Sequence, residues 1–373
     1  MIEKMILESK KLFYYDDIVA DEYEKSGEKM LEYVNKSMKE KANILTLLGG
    51  NPISLMEENH RNHLQFMSTV IKHKQGDLLV NTLPWVYKTY SSKGVEFPYF
   101  LYELSEWIKA IQDHVAPDCQ KPLIDIYTNM ISWHDKLIIL SQETTENANQ
   151  TNDEWTEDHE KIIKFLLLGD FKNIMYICSE KLKSGLPITK LYLDFIQPVM
   201  YKVGQLWQDG SITVAHEHLA TSIIAQVIAS LYPDYVLNDL TKGVAIMSAG
   251  INEYHQIGAR IVADVLEHDG WDIRYLGANI PSDQLIELVG EVEPVFVGIS
   301  ITMSYHADKL VETVNLIRNL DSNKPIKIMV GGLAINNSVE LQKLVDADAF
   351  PKNAEESVEL ARNWWKEYSN YVE

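Results

Sequence analysis

Residues 244–258 read VAIMSAGINEYHQIG, and this stretch decides the fold of the second half of the chain. Val244-Ala-Ile-Met247 is a short apolar run of buried-strand character. Ser248-Ala-Gly250 breaks it, and an amphipathic pattern follows from Ala259 to His268. The alternation repeats downstream. Strand-like runs Ile273–Leu276, Val295–Ile301 and Ile326–Val330 are interleaved with helix-like segments Ser282–Glu291, Ala307–Leu320 and Ser338–Val345. Strands alternating with helices predict a doubly wound parallel sheet, in which ligands sit beyond the carboxyl ends of the strands. Each run ends there in small or polar residues: Ser248-Ala-Gly250, Gly277-Ala-Asn279, Ser300-Ile-Thr302 and Gly331-Gly332.

Working toward the N-terminus, Tyr232–Lys242 is a short break in which Pro233 is expected to end a helix and Asn238 and Asp239 to continue the interruption. Residues 160–232 carry apolar spacing for about four helices of ~12–15 residues, with turns marked by Gly169-Asp170, Pro187 and Gly204. Ser141–Glu160 (SQETTENANQTNDEWTEDHE) has linker composition. Residues 1–140 read as almost wholly helical: Leu64, Met67, Val70 and Ile71 make one stripe, and Leu101, Leu104, Ile108 and Ile111 another. Gly94 and Pro98 bracket a connection between two such helices. The many aromatics here (Trp85, Tyr87, Tyr90, Phe97, Tyr99, Phe100, Tyr102, Trp107) suit core packing first and the lining of a flat-ligand pocket second. The organisation expected is therefore a multidomain α and α/β chain: an all-helical domain over 1–145, a four-helix bundle over 158–236, and a Rossmann-like sheet domain over 240–373.

Composition narrows the function. The chain has 373 residues, 46% of them hydrophobic, and 34 basic against 54 acidic residues give a net charge of −20. So acidic a surface repels phosphate backbones and anionic lipid, which argues against direct nucleic-acid or membrane binding. No apolar run approaches the ~18 residues of a membrane span. Cys119 and Cys178 make neither a disulfide framework nor a thiolate metal cluster. The opening MIEKMILESKKLFYYDD does not read as a signal peptide, so a cytoplasmic protein is expected. Gly-x-Gly-x-x-Gly does not follow the first strand, which disfavours dinucleotide binding. Neither a nucleophile nor a paired acid/base unit stands out, so an enzyme is not expected.

The chemistry is carried by Glu253-Tyr-His255-Gln-Ile-Gly258, just after the first strand. A histidine at the mouth of a sheet can aim one ring nitrogen at a ligand, while a carboxylate two residues earlier holds the other nitrogen and fixes the tautomer. Gly258 would let the next helix approach something bulky. An isolated histidine here is more often an ordinary loop residue, but this one keeps company with Ser300-x-Thr302 and Gly331-Gly332. That order resembles the cobalamin-binding domain of the methionine synthase and mutase type, over about 243–365. The resemblance implies His255 as the lower axial ligand of cobalt, Glu253 as its hydrogen-bonding partner, and a slot for the nucleotide tail lined by Ser300, Thr302, Gly331 and Gly332. Many members carry Asp where this chain has Glu253. Val345-Asp-Ala-Asp-Ala349 is similar to the family's late strand and turn. His306 falls where methyl-transferring members carry a relay hydroxyl, which puts such a relay in doubt.

A second match lies upstream. Met200-Tyr-Lys-Val-Gly-Gln-Leu-Trp207, then nine residues, then Glu217-His218 is similar to the Trp-x9-Glu-His signature of the CarH-like light sensors that bind adenosylcobalamin. There the bundle caps the upper face of the corrin. The resemblance implies that Trp207 and Val214 pack on the deoxyadenosyl group and that Glu217 accepts hydrogen bonds from adenosine. In light-regulated repressors a cobalt-binding histidine follows the tryptophan. Here Gln208 follows it, so His218, His216 or water would take the vacated position. The N-terminal run His63-Leu-Gln-Phe-Met67 … Gly76-Asp-Leu78 … Trp85-Val … Lys93-Gly-Val-Glu-Phe97 looks, more loosely, like the globin-like domain of the photocobilins. That implies non-covalent biliverdin as a second chromophore, with His60, Arg61, His63 and His73 among the available polar groups. The reading favoured is an adenosylcobalamin photoreceptor that signals by changing domain packing or oligomeric state. It is expected to be a homo-oligomer, a dimer or higher, with an unknown downstream signalling protein. The alternative is a corrinoid methyl carrier serving a methyltransferase.

Overall fold

The computed structural model describes residues 1–143, 156–237, 239–321 and 325–369. The chain divides into two units, the first built on residues 1–146 and 208–210 and the second on 147–207 and 211–373. Most of the linker-like stretch, 144–155, and Asn238 lie outside the described residues.

The first unit is helical, as its stripes predict: α1 (Ile2–Ser9), α2 (Ile18–Lys39), the single turn α3 (Ile44–Leu47), α4 (Ile53–Lys72), α5 (Gly76–Ser92), α6 (Pro98–His114), α7 (Pro117–Ser132) and α8 (His134–Gln142). Pro98 and Pro117 sit in the first turns of α6 and α7, where a missing N–H costs no helical bond. Tyr87, Tyr99 and Trp107 are buried, and Tyr87 stacks on Phe100 with centroids 4.1 Å apart. These aromatics fill the core.

The second unit begins with four helical rods. They are α9 (Glu157–Leu168), α10 (Phe171–Lys183), a rod running from α11 (Ile188–Lys190) through a π-helical segment (Leu191–Ile196) into α12 (Gln197–Gln208), and α13 (Val214–Tyr235). Gly169, in the left-handed region at φ 75, ends α9, and the Asp170 side chain caps α10 by accepting from the Asn173 N–H. One expectation fails: α13 runs two residues beyond Pro233. A proline in the last turn removes one N–H, but the Val236 N–H still bonds to the Tyr232 carbonyl, so the helix closes past it.

The sheet follows: β1 (Val244–Ala249), α14 (Ile257–His268), β2 (Asp272–Tyr275), α15 (Ser282–Val292), β3 (Phe296–Ser300), α16 (Ala307–Arg318), β4 (Lys327–Gly331), the short α17 (Leu333–Asn336) and α18 (Val339–Leu344), and α19 (Ala354–Ser369). All pairings are parallel and the order is β2-β1-β3-β4. The expected late strand at 345–349 reduces to one parallel bridge, Met329 to Ala349. Helical rods and sheet share one core, in which Leu166, Val203 and Val227 from the rods join Phe296, Trp271 and Ala361 from the sheet domain. Two side-chain links reinforce it: the Tyr192 hydroxyl donates to Asp264 at 3.0 Å, and the Tyr232 hydroxyl donates to Glu267. No helix among the described residues is long and apolar enough to cross a membrane.

Candidate cofactor-binding site

Strand order reverses at β1, with β2 on one side and β3 on the other, so the crevice of a doubly wound sheet opens beyond β1 and β3. The loops leaving these two strands meet there through one side chain. Glu253, fully buried, takes hydrogen bonds at Oε1 from His255 Nδ1 at 2.5 Å and from the His255 backbone N–H at 3.0 Å. Its Oε2 accepts from the backbone N–H groups of Thr302 at 2.7 Å and Met303 at 3.1 Å, and from His306 Nδ1 at 3.2 Å. Burial pushes the Glu253 carboxyl up, but the hydrogen bonds from His255 and His306 overcome it and hold the group well below the usual carboxylate range. An ionised carboxylate therefore sits at the floor of the crevice. His306, at the position where the resemblance places a relay hydroxyl, contacts Glu253 through Nδ1, and an imidazole N–H is a competent donor to a carboxylate.

His255 is oriented by this floor. Its hydrogen bond to Glu253 raises its pKa against the opposing effect of burial, and the negative charges of Glu253 and Glu217 add to the rise. The Nδ1–H is committed to Glu253, so Nε2 is the nitrogen left for a ligand, on a side chain 54% exposed. Glu217 belongs to the first turn of α13, so the helical part of this unit contributes charge to the same site. Its two oxygens are held, Oε1 by the Thr221 hydroxyl at 2.8 Å and Oε2 by His218 Nδ1 at 2.6 Å. Trp207 lies half-buried at the end of α12, and Val214 is exposed at the start of α13. His216 is drawn into the helix cap, where Thr213 Oγ1 lies 2.7 Å from its Nδ1. That bond occupies one of its ring nitrogens.

The expected slot is only partly a slot. Strand register sets Ala249, Ser300 and Gly331 side by side at the strand ends. A Cβ on Gly258 would meet nothing within 4 Å, and one on Gly331 would make only ordinary contact, 3.6 Å from the Pro351 carbonyl, so both leave room. Gly332 answers a different need. Its φ is +95 and a Cβ there would lie 2.3 Å from the Ile301 carbonyl oxygen, so backbone already fills that space. Thr302 acts through its backbone N–H on Glu253, while its half-buried side chain and that of Ser300 remain at the rim. An exposed imidazole with one nitrogen fixed by a buried carboxylate, beside open space at Gly258 and Gly331, fits a side chain that would hold a corrin metal through Nε2. Sequence reading missed Met303 and Thr221, whose contacts depend on loop and helix geometry.

The first unit has its own polar core. Tyr23 and Tyr127 hydroxyls meet at 2.7 Å, and Tyr127 bonds His63 Nε2 at 3.0 Å. His60 bridges Asn35 and Tyr99. Asn59 Nδ2 donates to Glu103 Oε2 at 3.1 Å, with the Trp107 indole as a further polar neighbour of Glu103. Burial pushes Glu103 up to about 7 and both His60 and His63 down to about 3. A cavity of about 30 Å³ lies beside Asn59, His63, Tyr87, Phe100 and Glu103. That is room for a water or two. Arg61 pairs with Glu28 at the surface.

Comparison with known proteins agrees with the second unit's architecture. Residues 243–361 match a B12 binding domain family, and residues 159–232 match a second B12 binding domain family. Dimethylamine corrinoid protein 1 of Methanosarcina mazei is 24% identical over 193 residues, 51% of this chain and 88% of that protein. The HTH-type transcriptional repressor CarH of Myxococcus xanthus is 28% identical over 155 residues, 42% of this chain and 51% of the repressor. Among solved structures, the monomethylamine corrinoid protein of Methanosarcina barkeri is similar at a TM-score of 0.47 and 21% identity, over 54% of this chain and 95% of that one. Residues 159–232 and 243–361 are thus a pair of B12-binding domains, and the second unit of this chain is a cobalamin-binding module.

Proposed function

We propose that the module binds adenosylcobalamin and serves as a light receptor. The observation that carries this reading is Glu217: a carboxylate with both oxygens held, near enough to His255 to raise its pKa, and ten residues after Trp207. A methyl ligand offers such a carboxylate no hydrogen-bond donor, whereas adenosine offers hydroxyls and an amine. When bound, the cofactor supplies a cobalt–carbon bond that visible light cleaves. His255 would hold the metal through Nε2, and Ser300, Thr302 and Gly331 would border the nucleotide tail. Trp207 and Val214 would pack against the adenosyl group, with Glu217 taking its polar edge and His218 steadying Glu217. Helical rods and sheet share a core, so the response to losing adenosyl is confined to the rim around Trp207 and Val214, and its readout is assembly. The protein in this reading is a homo-oligomeric signalling component acting on a partner protein, in the cytoplasm, without catalysis and without direct nucleic-acid or membrane contact.

The test is illumination of the adenosylcobalamin-loaded chain followed by absorbance and size-exclusion measurements. Both should shift; bleaching at constant hydrodynamic size would remove the signalling step. A second reading, a corrinoid methyl carrier, is favoured by the matches to dimethylamine corrinoid proteins over most of their length and by the His255–Glu253–His306 chain. A preference of at least about tenfold for methylcobalamin over adenosylcobalamin, about 1.4 kcal/mol, would select it. Biliverdin in the first unit is a further part of this reading: a red absorbance band on adding it would support a second chromophore, and its absence would leave a single one.

A further inference from the structure

The loop that carries His255 is anchored from both neighbouring strands. On the β3 side, Glu253 ties it to Thr302, Met303 and His306. On the β2 side, Asn279 reaches across: its Oδ1 accepts the Asn252 N–H at 2.9 Å, and its Nδ2 donates to the Tyr254 hydroxyl at 3.2 Å. Both asparagines stand in the left-handed backbone region, Asn252 at φ 59 and Asn279 at φ 55. Asparagine tolerates that region better than other residues with a Cβ, and two such positions facing each other across adjacent strand-end loops mark a defined turn geometry.

We propose that Asn279 is a positioning residue for His255: it fixes Asn252 and Tyr254, the residues flanking Glu253, and so presets the imidazole before the corrin arrives. This rests on His255 as the axial ligand. β1 lies between β2 and β3, so its loop can be clamped from two sides. The clamp spends the ordering entropy of the loop at folding instead of at binding. Without Asn279, Glu253 still holds Nδ1, but the segment bearing both residues loses its β2-side support.

The experiment compares the wild-type full chain with Asn279→Gly, Asn279→Asp and His255→Ala. Glycine accepts the left-handed backbone but makes neither hydrogen bond. Aspartate keeps the acceptor for Asn252 and can take a hydrogen bond from the Tyr254 hydroxyl. The readouts are the dissociation constant for hydroxocobalamin by absorbance titration, the nitrogen splitting in the cobalt(II) electron paramagnetic resonance spectrum, and the melting curve of the cofactor-free chain. Asn279→Gly should bind about tenfold more weakly, the size expected for two modest hydrogen bonds, with a reduced histidine-coordinated fraction. Asn279→Asp should recover most of both. Should the glycine variant fail to fold, Tyr254→Phe, which removes one of the two bonds, should weaken binding about threefold by the same reasoning. An impaired His255→Ala beside an unimpaired Asn279→Gly overturns the inference alone. Weaker binding with an unchanged histidine-coordinated fraction also overturns it, because the role would then be merely structural. If His255→Ala matches wild type, the axial assignment falls and this inference with it.

Discussion

Glu103 should make the first unit less stable as the pH rises toward neutrality, and Glu103→Gln should abolish that loss. The carboxyl is almost fully buried, with one oxygen taking the Asn59 amide and the Trp107 indole as a further polar neighbour. Burial raises it from 4.5 to about 7, against the smaller lowering effects of Trp107 and Asn59. Between these two values the folded chain keeps a proton that the unfolded chain has released. Stability therefore falls as pH rises through that window, by about 3 kcal/mol in all, at 1.36 kcal/mol per pKa unit. His60 and His63 act in the opposite sense. Burial depresses both to about 3, so they withdraw stability as pH falls below 6.5. Wild type alone thus gives a domed profile, and the difference between wild type and Glu103→Gln isolates the carboxyl. Glutamine keeps an oxygen for Asn59 and carries no charge. In urea unfolding of the full chain, with the second unit's transition as internal reference, the variant should gain about 3 kcal/mol relative to wild type between pH 4.5 and 8.5. A difference between the two proteins that stays constant with pH would refute the reasoning.

Other outcomes follow from the cofactor site. Glu253→Gln puts an amide NH₂ against donors on one side or the other, because all five contacts of Glu253 come from N–H groups; it should cost about 2–3 kcal/mol of stability and weaken cobalamin binding about tenfold or more, measured by melting and absorbance titration. Gly332→Ala should destabilise the sheet domain by more than about 1 kcal/mol in chemical unfolding, since its Cβ meets the Ile301 carbonyl and its φ is +95. Thr221→Val should weaken adenosylcobalamin binding about fivefold while leaving hydroxocobalamin unchanged, because Glu217 loses the hydroxyl that holds Oε1.

How far the site could be read from sequence varies residue by residue. Glu253 and His255 are two positions apart on one loop, so their contact was legible from spacing and the fold. The four strands were legible from apolar runs and their small-residue ends, whereas their order in the sheet came only with the structure. Asn279 stood in the sequence only as a polar strand end. Its partners lie 25 and 27 positions away, and only the β2-β1 pairing brings them together. Gly332 was read as making space when it relieves a backbone contact, because a glycine's neighbours cannot be seen along the chain. His306 was read as standing where a relay hydroxyl is expected, and its contact with Glu253, 53 positions away, exists only in the fold.

Local order along the chain settled the alternation of strand and helix, the helical rods upstream and the placement of an imidazole at the first strand's mouth, because periodicity and short-range spacing act within a few residues. Tertiary structure decided what surrounds that imidazole. Parallel pairing sets loops 50 residues apart against each other, so that one buried carboxylate gathers backbone and side-chain donors from both. Electrostatics and hydrogen bonding depend on distance in space, and that distance exists only once the sheet has formed.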